Sequence, residues 1–191
     1  QDVRWRELSG FVADYLTSRV SSVSLGRWSN QLQRVRKPLV APLTQIHADR
    51  DRSERQREAA ASLLADYCHD QPGQLVSFIL VAEDLAEYSP LIRVLRPHAS
   101  AVTNALSDEL HAELPIGVSA KQRDAHLTRQ SIAAVTLLRL GHADDVWPLL
   151  THSQDPSLRS TLIGYCGKLE VEPVTIASRL AVEQDTSVRR A

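Results

Sequence analysis

The chain has 191 residues, 43% hydrophobic, 24% charged and 5% aromatic, which is the composition of a soluble globular protein with one sizeable domain or two small ones. Its 22 Lys and Arg face 23 Asp and Glu, so the formal net charge is -1 and no one-signed field draws in nucleic acid or an anionic membrane. The longest apolar run, LVSFILVA at 75–82, falls far short of the roughly 20 residues a bilayer-spanning helix needs, which argues against direct membrane insertion.

The opening QDVRWREL lacks the tripartite pattern of a signal peptide, and with no Met anywhere the chain reads as an excised piece of a longer protein. Trp5, Leu8, Val12, Tyr15 and Arg19 recur at steps of three and four, predicting one side of a helix over 3–20. A second stripe, Trp28, Leu32, Val35, Leu39, Leu43 and Ile46, predicts a helix that Pro38 and Pro42 must kink or split, because each removes an amide donor and crowds the preceding turn. Ser53 and Gln56 stand at capping-box spacing, with Ala60, Leu63, Leu64 and Tyr67 as the stripe that follows. Pro72 predicts a helix start running to 82, and Ser89 with Pro90 predicts another to 96, stopped by Pro97. Ser100 opens a helix with Val102, Leu106, Leu110 and Leu114 near one face. PIGVSAKQ at 115–122 predicts a loop, since Pro and Gly interrupt any period, and a long helix over 123–140 closes at Gly141. Helices over 143–151, 156–169 and 173–182 and a start at Thr186 complete an all-α reading, for no β-branched run alternates long enough to make a strand.

The phrase Asp-x-Ser-aliphatic-Arg occurs twice, as DPSLR at 155–159 and DTSVR at 185–189. In each, Asp can accept the unpaired amides of a helix start, Leu158 or Val188 faces inward, and Arg159 or Arg189 leaves from the flank. AAASLL at 59–64 and IAAVTLL at 132–138 echo one another at a spacing that fits two repeats of about 30 to 40 residues. Helix pairs at such intervals predict an α-solenoid, in which each pair buries its apolar face against its neighbours and DTSVRRA starts another inner helix.

DPSLR and DTSVRRA resemble the inner-helix motif of HEAT-type repeats, where the Asp caps and the Arg braces neighbouring loops. More narrowly, SERQREAAASLLADYCHDQPGQLVSFILVAEDLAEYSPL and QSIAAVTLLRLGHADDVWPLLTHSQDPSLRSTLI are similar to a helical region of large bacterial multidomain proteins. Those also carry a serine/threonine protein kinase domain and a formylglycine-generating-enzyme-like (sulfatase-modifying factor) domain. The resemblance covers 35–191 and implies a linking or scaffolding role. A membrane helix between kinase and repeats would place this region outside the cytoplasm; without one it would be cytoplasmic. The chain has no GxGxxG loop, HRD or DFG, so no kinase residues carry over.

Three clusters resemble chemistry. Cys68, His69 and Asp70 have the residue types of a nucleophilic set, but consecutive helical residues project about 100° apart and cannot form a relay, so a buried Cys and a His near the last carbonyls is the better reading. The seven His residues show no HxxxH spacing and the two Cys no CxxC, so structural or solvated His is favoured over zinc. In DRDRSERQR at 49–57 acids alternate with the cations, which predicts a solvated, salt-bridged helix start rather than an anion site. Trp147 before Pro148 could anchor a ligand on an exposed ridge, but with Val146, Leu149 and Leu150 around it core packing is the better reading. Cys68 and Cys166 read as two buried free thiols, a disulfide between them staying open, as does the redox compartment.

The chain is therefore expected to be a single helical-repeat domain over 1–191, not an enzyme, with no catalytic, cofactor or metal residues. Its expected partner is protein, a neighbouring domain or another chain, and not nucleic acid. Two other classes stay open: a HEAT-like nucleic-acid module of the DNA-glycosylase kind, which would need a basic concave stripe, and a regulatory domain with a polar small-ligand pocket.

Overall fold

A computed structural model describes residues 3–114 and 117–191, and every regular element among them is helical, with no strand. The helices gather into two compact units, Gln1–His98 and Ala99–Ala191.

The first unit holds α1 (Val3–Ser18), α2 (Ser22–Leu32), α3 (Arg36–Ala48), α4 (Glu54–Tyr67), α5 (Pro72–Ile79) and α6 (Leu85–Leu95). Helix α4 is its centre and packs against all five others. Ala60, Ala61, Leu63, Leu64, Ala65 and Tyr67 are all buried, so α4 is apolar around most of its circumference, as an interior helix must be. Its start is the expected capping box: Ser53 accepts from the Gln56 amide, and the Gln56 side chain accepts from the Ser53 amide. Pro72 opens α5 as expected.

The expected split of the second stripe occurs, though not at Pro42, and two other expectations in this unit need correction. The break ahead of α3 falls at a 3₁₀ turn, Gln33–Val35, because a ring at Pro38 crowds the carbonyl four residues back; Pro42 stays inside α3. Helix α6 starts at Leu85, not at Ser89, since the Asp84 side chain already accepts the Glu87 amide and leaves Pro90 inside the helix. On α1 the buried side is Ser9, Ala13, Leu16 and Thr17, while Leu8 and Tyr15 of the predicted stripe are exposed. Small Ser9 and Ala13 let α1 approach α3 and α4 closely, and Thr17 satisfies its hydroxyl on the Ala13 carbonyl at 3.0 Å, so a partly polar face can be the buried one.

The second unit holds α7 (Ala99–Leu110), α8 (Ala120–Arg139), a 3₁₀ turn (Trp147–Leu150), α9 (Ser157–Lys168), α10 (Pro173–Val182) and α11 (Thr186–Arg190). Helix α8 packs against both α7 and α9, and every residue from 130 to 138 is buried. The two echoing segments thus lie in the interior helices, α4 and α8, of the two units. Helix α8 begins three residues earlier than expected, because Ser119 and Gln122 form a second capping box inside the stretch predicted as loop. Pro115 and Ile116 of that stretch lie outside the described residues. Gly141 follows α8 with φ 88°, a left-handed position that glycine takes without a Cβ clash.

Candidate functional site

Helix α9 buries Leu162 completely, whereas α10 buries no residue at all. Val174, Ile176, Leu180 and Val182 of α10 stay exposed, so α10 stands as a wall with an apolar cleft beside it. The cleft has a volume of about 880 Å³. Its walls come from Leu138 at the end of α8, Trp147 and Leu150 of the 3₁₀ turn, Ile163 and Cys166 of α9, Ile176 and Leu180 of α10, and Val188 of α11.

The frame around it is tied by arginines. Arg159, on the first turn of α9, donates through Nε to the Leu150 carbonyl at 2.8 Å and through Nη2 to the Ser187 carbonyl at 2.9 Å. Arg139 Nη1 donates to the Leu169 carbonyl at 2.7 Å, fixing the far end of α9. Arg179 donates to Glu183 at 2.7 Å and lies 5.8 Å from the centre of the Trp147 ring, within cation–π reach. Asp185 caps α11, accepting from the Ser187 amide at 2.7 Å and the Val188 amide at 3.1 Å; the Ser187 hydroxyl and these amides hold its carboxyl below the usual range. Asp155 makes the corresponding bond to the Ser157 amide at 2.9 Å, but stands one residue outside the cap position, which Pro156 occupies. Both Asp-x-Ser phrases therefore close the same kind of turn.

The apolar walls are joined at the cleft by Arg139, Arg179, Arg189 and Arg190 and by Glu170, Glu172 and Glu183. Burial pushes the Cys166 thiol up to about 11, so it stays protonated and a poor nucleophile at neutral pH. Among the described residues no three His, Cys, Asp or Glu side chains converge to hold a metal ion, and no helix is long and apolar enough to cross a membrane.

Of the residues singled out in the sequence, Trp147, which is buried as expected, Leu150, Cys166, Val188 and Arg189 line this cleft; Cys68, His69, Asp70 and the 49–57 cluster do not. Both cysteines are free; Cys68 is buried and Cys166 half-buried. Burial first, then nearby Asp70, pushes the Cys68 thiol up to about 11. Its neighbours turn elsewhere, His69 Nδ1 to the Asp66 carbonyl at 2.8 Å and Asp70 to Arg36 at 2.9 Å. Other histidines likewise bond backbone carbonyls: His98 reaches His69, His111 reaches Ser107 and His126 reaches Ala112. In 49–57, Arg50 pairs with Glu83, and Arg52 with Asp14 and Asp49, as a salt-bridged surface.

Arg57 departs from that pattern. It is buried, donates through Nε to fully buried Glu87 at 2.7 Å and through Nη1 to the Arg52 carbonyl at 2.7 Å. Glu87 also accepts from the Glu83 amide at 3.1 Å, and His47 Nδ1 lies 3.7 Å from its second oxygen. His47 Nε2 donates to the Phe78 carbonyl at 3.0 Å. This buried node joins α3, α4 and α6, and the sequence reading missed it. The available signal was a charged residue on an apolar stripe: Arg57 precedes Ala60, Ala61 and Leu64, and Glu87 precedes Leu91.

Comparison with protein-family models, with curated proteins and with solved structures found no match to this chain.

Proposed function

We propose that the chain is a noncatalytic HEAT-like α-solenoid, one repeat domain over 1–191, that serves as a scaffold or spacer by presenting apolar helix faces to protein. One observation carries the reading. Among the described residues, side-chain hydrogen bonds such as Ser29 to Asp66, Arg57 to Glu87, Arg139 to Leu169 and Arg159 to Ser187 join positions 28 to 37 apart, while those between the α7 and α8 region join positions 14 to 20 apart. A fold closed on one globular core ties residues at many separations, whereas a solenoid ties each repeat to the next at about one repeat length.

The arginines reinforce this. Arg57 and Arg159 each sit near the start of an α-helix, each bonds a carbonyl ahead of that helix, and each reaches a residue at the start of the α-helix next but one, Glu87 on α6 and Ser187 on α11. That is the bracing role implied by the resemblance to HEAT repeats. The similarity to kinase- and formylglycine-generating-enzyme-bearing proteins makes a spacer between such domains the natural setting.

The cleft of α9–α11 is the surface through which the scaffold would engage protein. Its apolar walls favour a protein surface over a nucleic-acid or polar small-ligand site, and its four rim arginines are set against three glutamates. A photo-crosslinking residue in place of Leu180, introduced in the cell, is expected to capture protein. Duplex DNA should bind weakly and lose that binding steeply with salt. Adducts to nucleic acid, or DNA binding that survives physiological salt, would overturn the scaffold reading.

A further inference from the structure

We propose that His47 is a proton-operated latch on the connection between α5 and α6: the neutral ring keeps that connection shut against the end of α3, and a ring that gains a proton releases it. The latch goes beyond the scaffold reading and does not depend on it. Three side chains hold the connection, residues 80–84. From the last turn of α3, His47 Nε2 donates to the Phe78 carbonyl at 3.0 Å. Just beyond that helix, Arg50 donates through Nη2 to the Val81 carbonyl at 2.8 Å and lies 3.1 Å from Glu83. From α4, Arg57 reaches Glu83 at 3.0 Å and Glu87, in the first turn of α6, at 2.7 Å. The Arg50 and Glu83 side chains are each nearly half exposed, so their pair adds little, and the buried His47 bond is what fixes the α5 side of the connection.

In the neutral ring the bond to Phe78 puts the proton on Nε2. Nδ1 is then a buried acceptor without a hydrogen-bond partner, 3.7 Å from Glu87 Oε2. That oxygen already accepts from the Glu83 amide at 3.1 Å, and Arg57 Nε occupies the other. A proton added at Nδ1 therefore has no acceptor within hydrogen-bond length. The two N–H directions of an imidazolium diverge widely, so a ring that moved toward Glu87 would draw away from Phe78, and the charged ring is left incompletely bonded in a dry site.

The groups around the ring do not offset this. Burial lowers the His47 pKa below its usual 6.5 by more than the Phe78 carbonyl, Glu87 and the Arg57 carbonyl raise it, and Arg50 adds to burial. Of the other charges on the elements packed here, Asp84 caps α6 by accepting from the Glu87 amide at 3.0 Å, Glu54 and Glu58 of α4 are exposed, and Asp14 of α1 is held by Arg52; α5 has no charged side chain. Water relieves a buried imidazolium. It reaches the ring most cheaply by displacing the connection, where Val81, Glu83 and Asp84 are only half-buried, rather than by parting α3 from α4, the helices whose buried faces make the core.

Amide hydrogen exchange of the full chain at low urea concentrations, corrected for the intrinsic rate at each pH, tests the latch, with an NMR titration of the His47 ring alongside. The amides of Leu80, Val81, Ala82 and Glu83 report the connection, since each is hydrogen-bonded when it is shut. Between about pH 7.5 and about pH 5.5 they should lose up to about tenfold in protection, the most that linkage allows for a ring whose pKa on opening is the usual 6.5. Their exchange should be nearly independent of urea, because a local opening exposes little surface, while Ala60 to Ala65 of α4 exchange more slowly and respond steeply to urea. His47→Gln, whose side-chain amide can still donate to Phe78, should remove the pH response. No pH response in the wild-type chain, a response that survives in His47→Gln, or amides of 80–83 that follow the urea dependence of α4 would each overturn the latch. So would a wild-type ring that takes up its proton while those amides keep their protection, a result that needs no variant to fold.

Discussion

Glu87 is fully buried, and Arg57 supplies the opposite charge that makes this tolerable. A buried carboxylate stripped of its partner is strongly destabilising, while replacing the whole pair by apolar groups is often neutral. Arg57→Met should therefore lower stability to urea denaturation by about 3 to 5 kcal/mol, and adding Glu87→Leu should recover most of that loss. The node also makes stability depend on pH. Burial lowers the His47 pKa below its usual 6.5, outweighing the Phe78 carbonyl and the Glu87 carboxylate that favour the cation; Arg50 acts in the same direction as burial. The unfolded chain thus takes up the proton before the folded one does. Stability is fully present above about pH 6.5 and is lost as pH falls below it, and His47→Gln should flatten that slope in urea midpoints measured on either side. Arg57 stands on the apolar stripe of Ala60, Ala61 and Leu64, unlike its solvated neighbours in DRDRSERQR, but that signal becomes interpretable only once the opposing helix is known to bring Glu87.

Helix starts show which signals act locally. The Ser53–Gln56 box and Pro72 are self-contained, since donor, acceptor and ring geometry all lie within one turn, and both appear where expected. Ser89 and Pro90 misled because Asp84 had already nucleated α6 upstream. For α1 the helix was readable but its buried face was not: Ser9 and Ala13 carry little hydrophobic signal, and only close packing against α3 and α4 makes theirs the inner side. The two Asp-x-Ser phrases can be ranked in the same terms. Leu162 on α9 is fully buried, so Leu162→Ala should cost about 2 to 5 kcal/mol by chemical denaturation. Asp155→Ala and Asp185→Ala, which remove solvent-facing turn bonds, should each cost less. If either exceeded Leu162→Ala, the Asp would have to hold more than the turn beside it.

Across the chain, the all-α class was readable because helical period runs from Trp5 to Val182, and the echo of 59–64 in 132–138 pointed to the interior helices of the two units. The cleft was not readable. Its walls come from one or two residues of each of five elements between Leu138 and Val188, and no one stripe contains them all. The central claim is that stability is passed from repeat to neighbouring repeat through braces such as Arg159, rather than held in one shared core. Native-state hydrogen exchange of Arg159→Ala against wild type tests it most directly, because exchange reports opening amide by amide. The account predicts lost protection in the 3₁₀ turn, α9 and α11, with the amides of α4 from Ala60 to Ala65 unchanged. Equal loss of protection in α4 and α11 would show a single cooperative core and contradict the repeat scaffold.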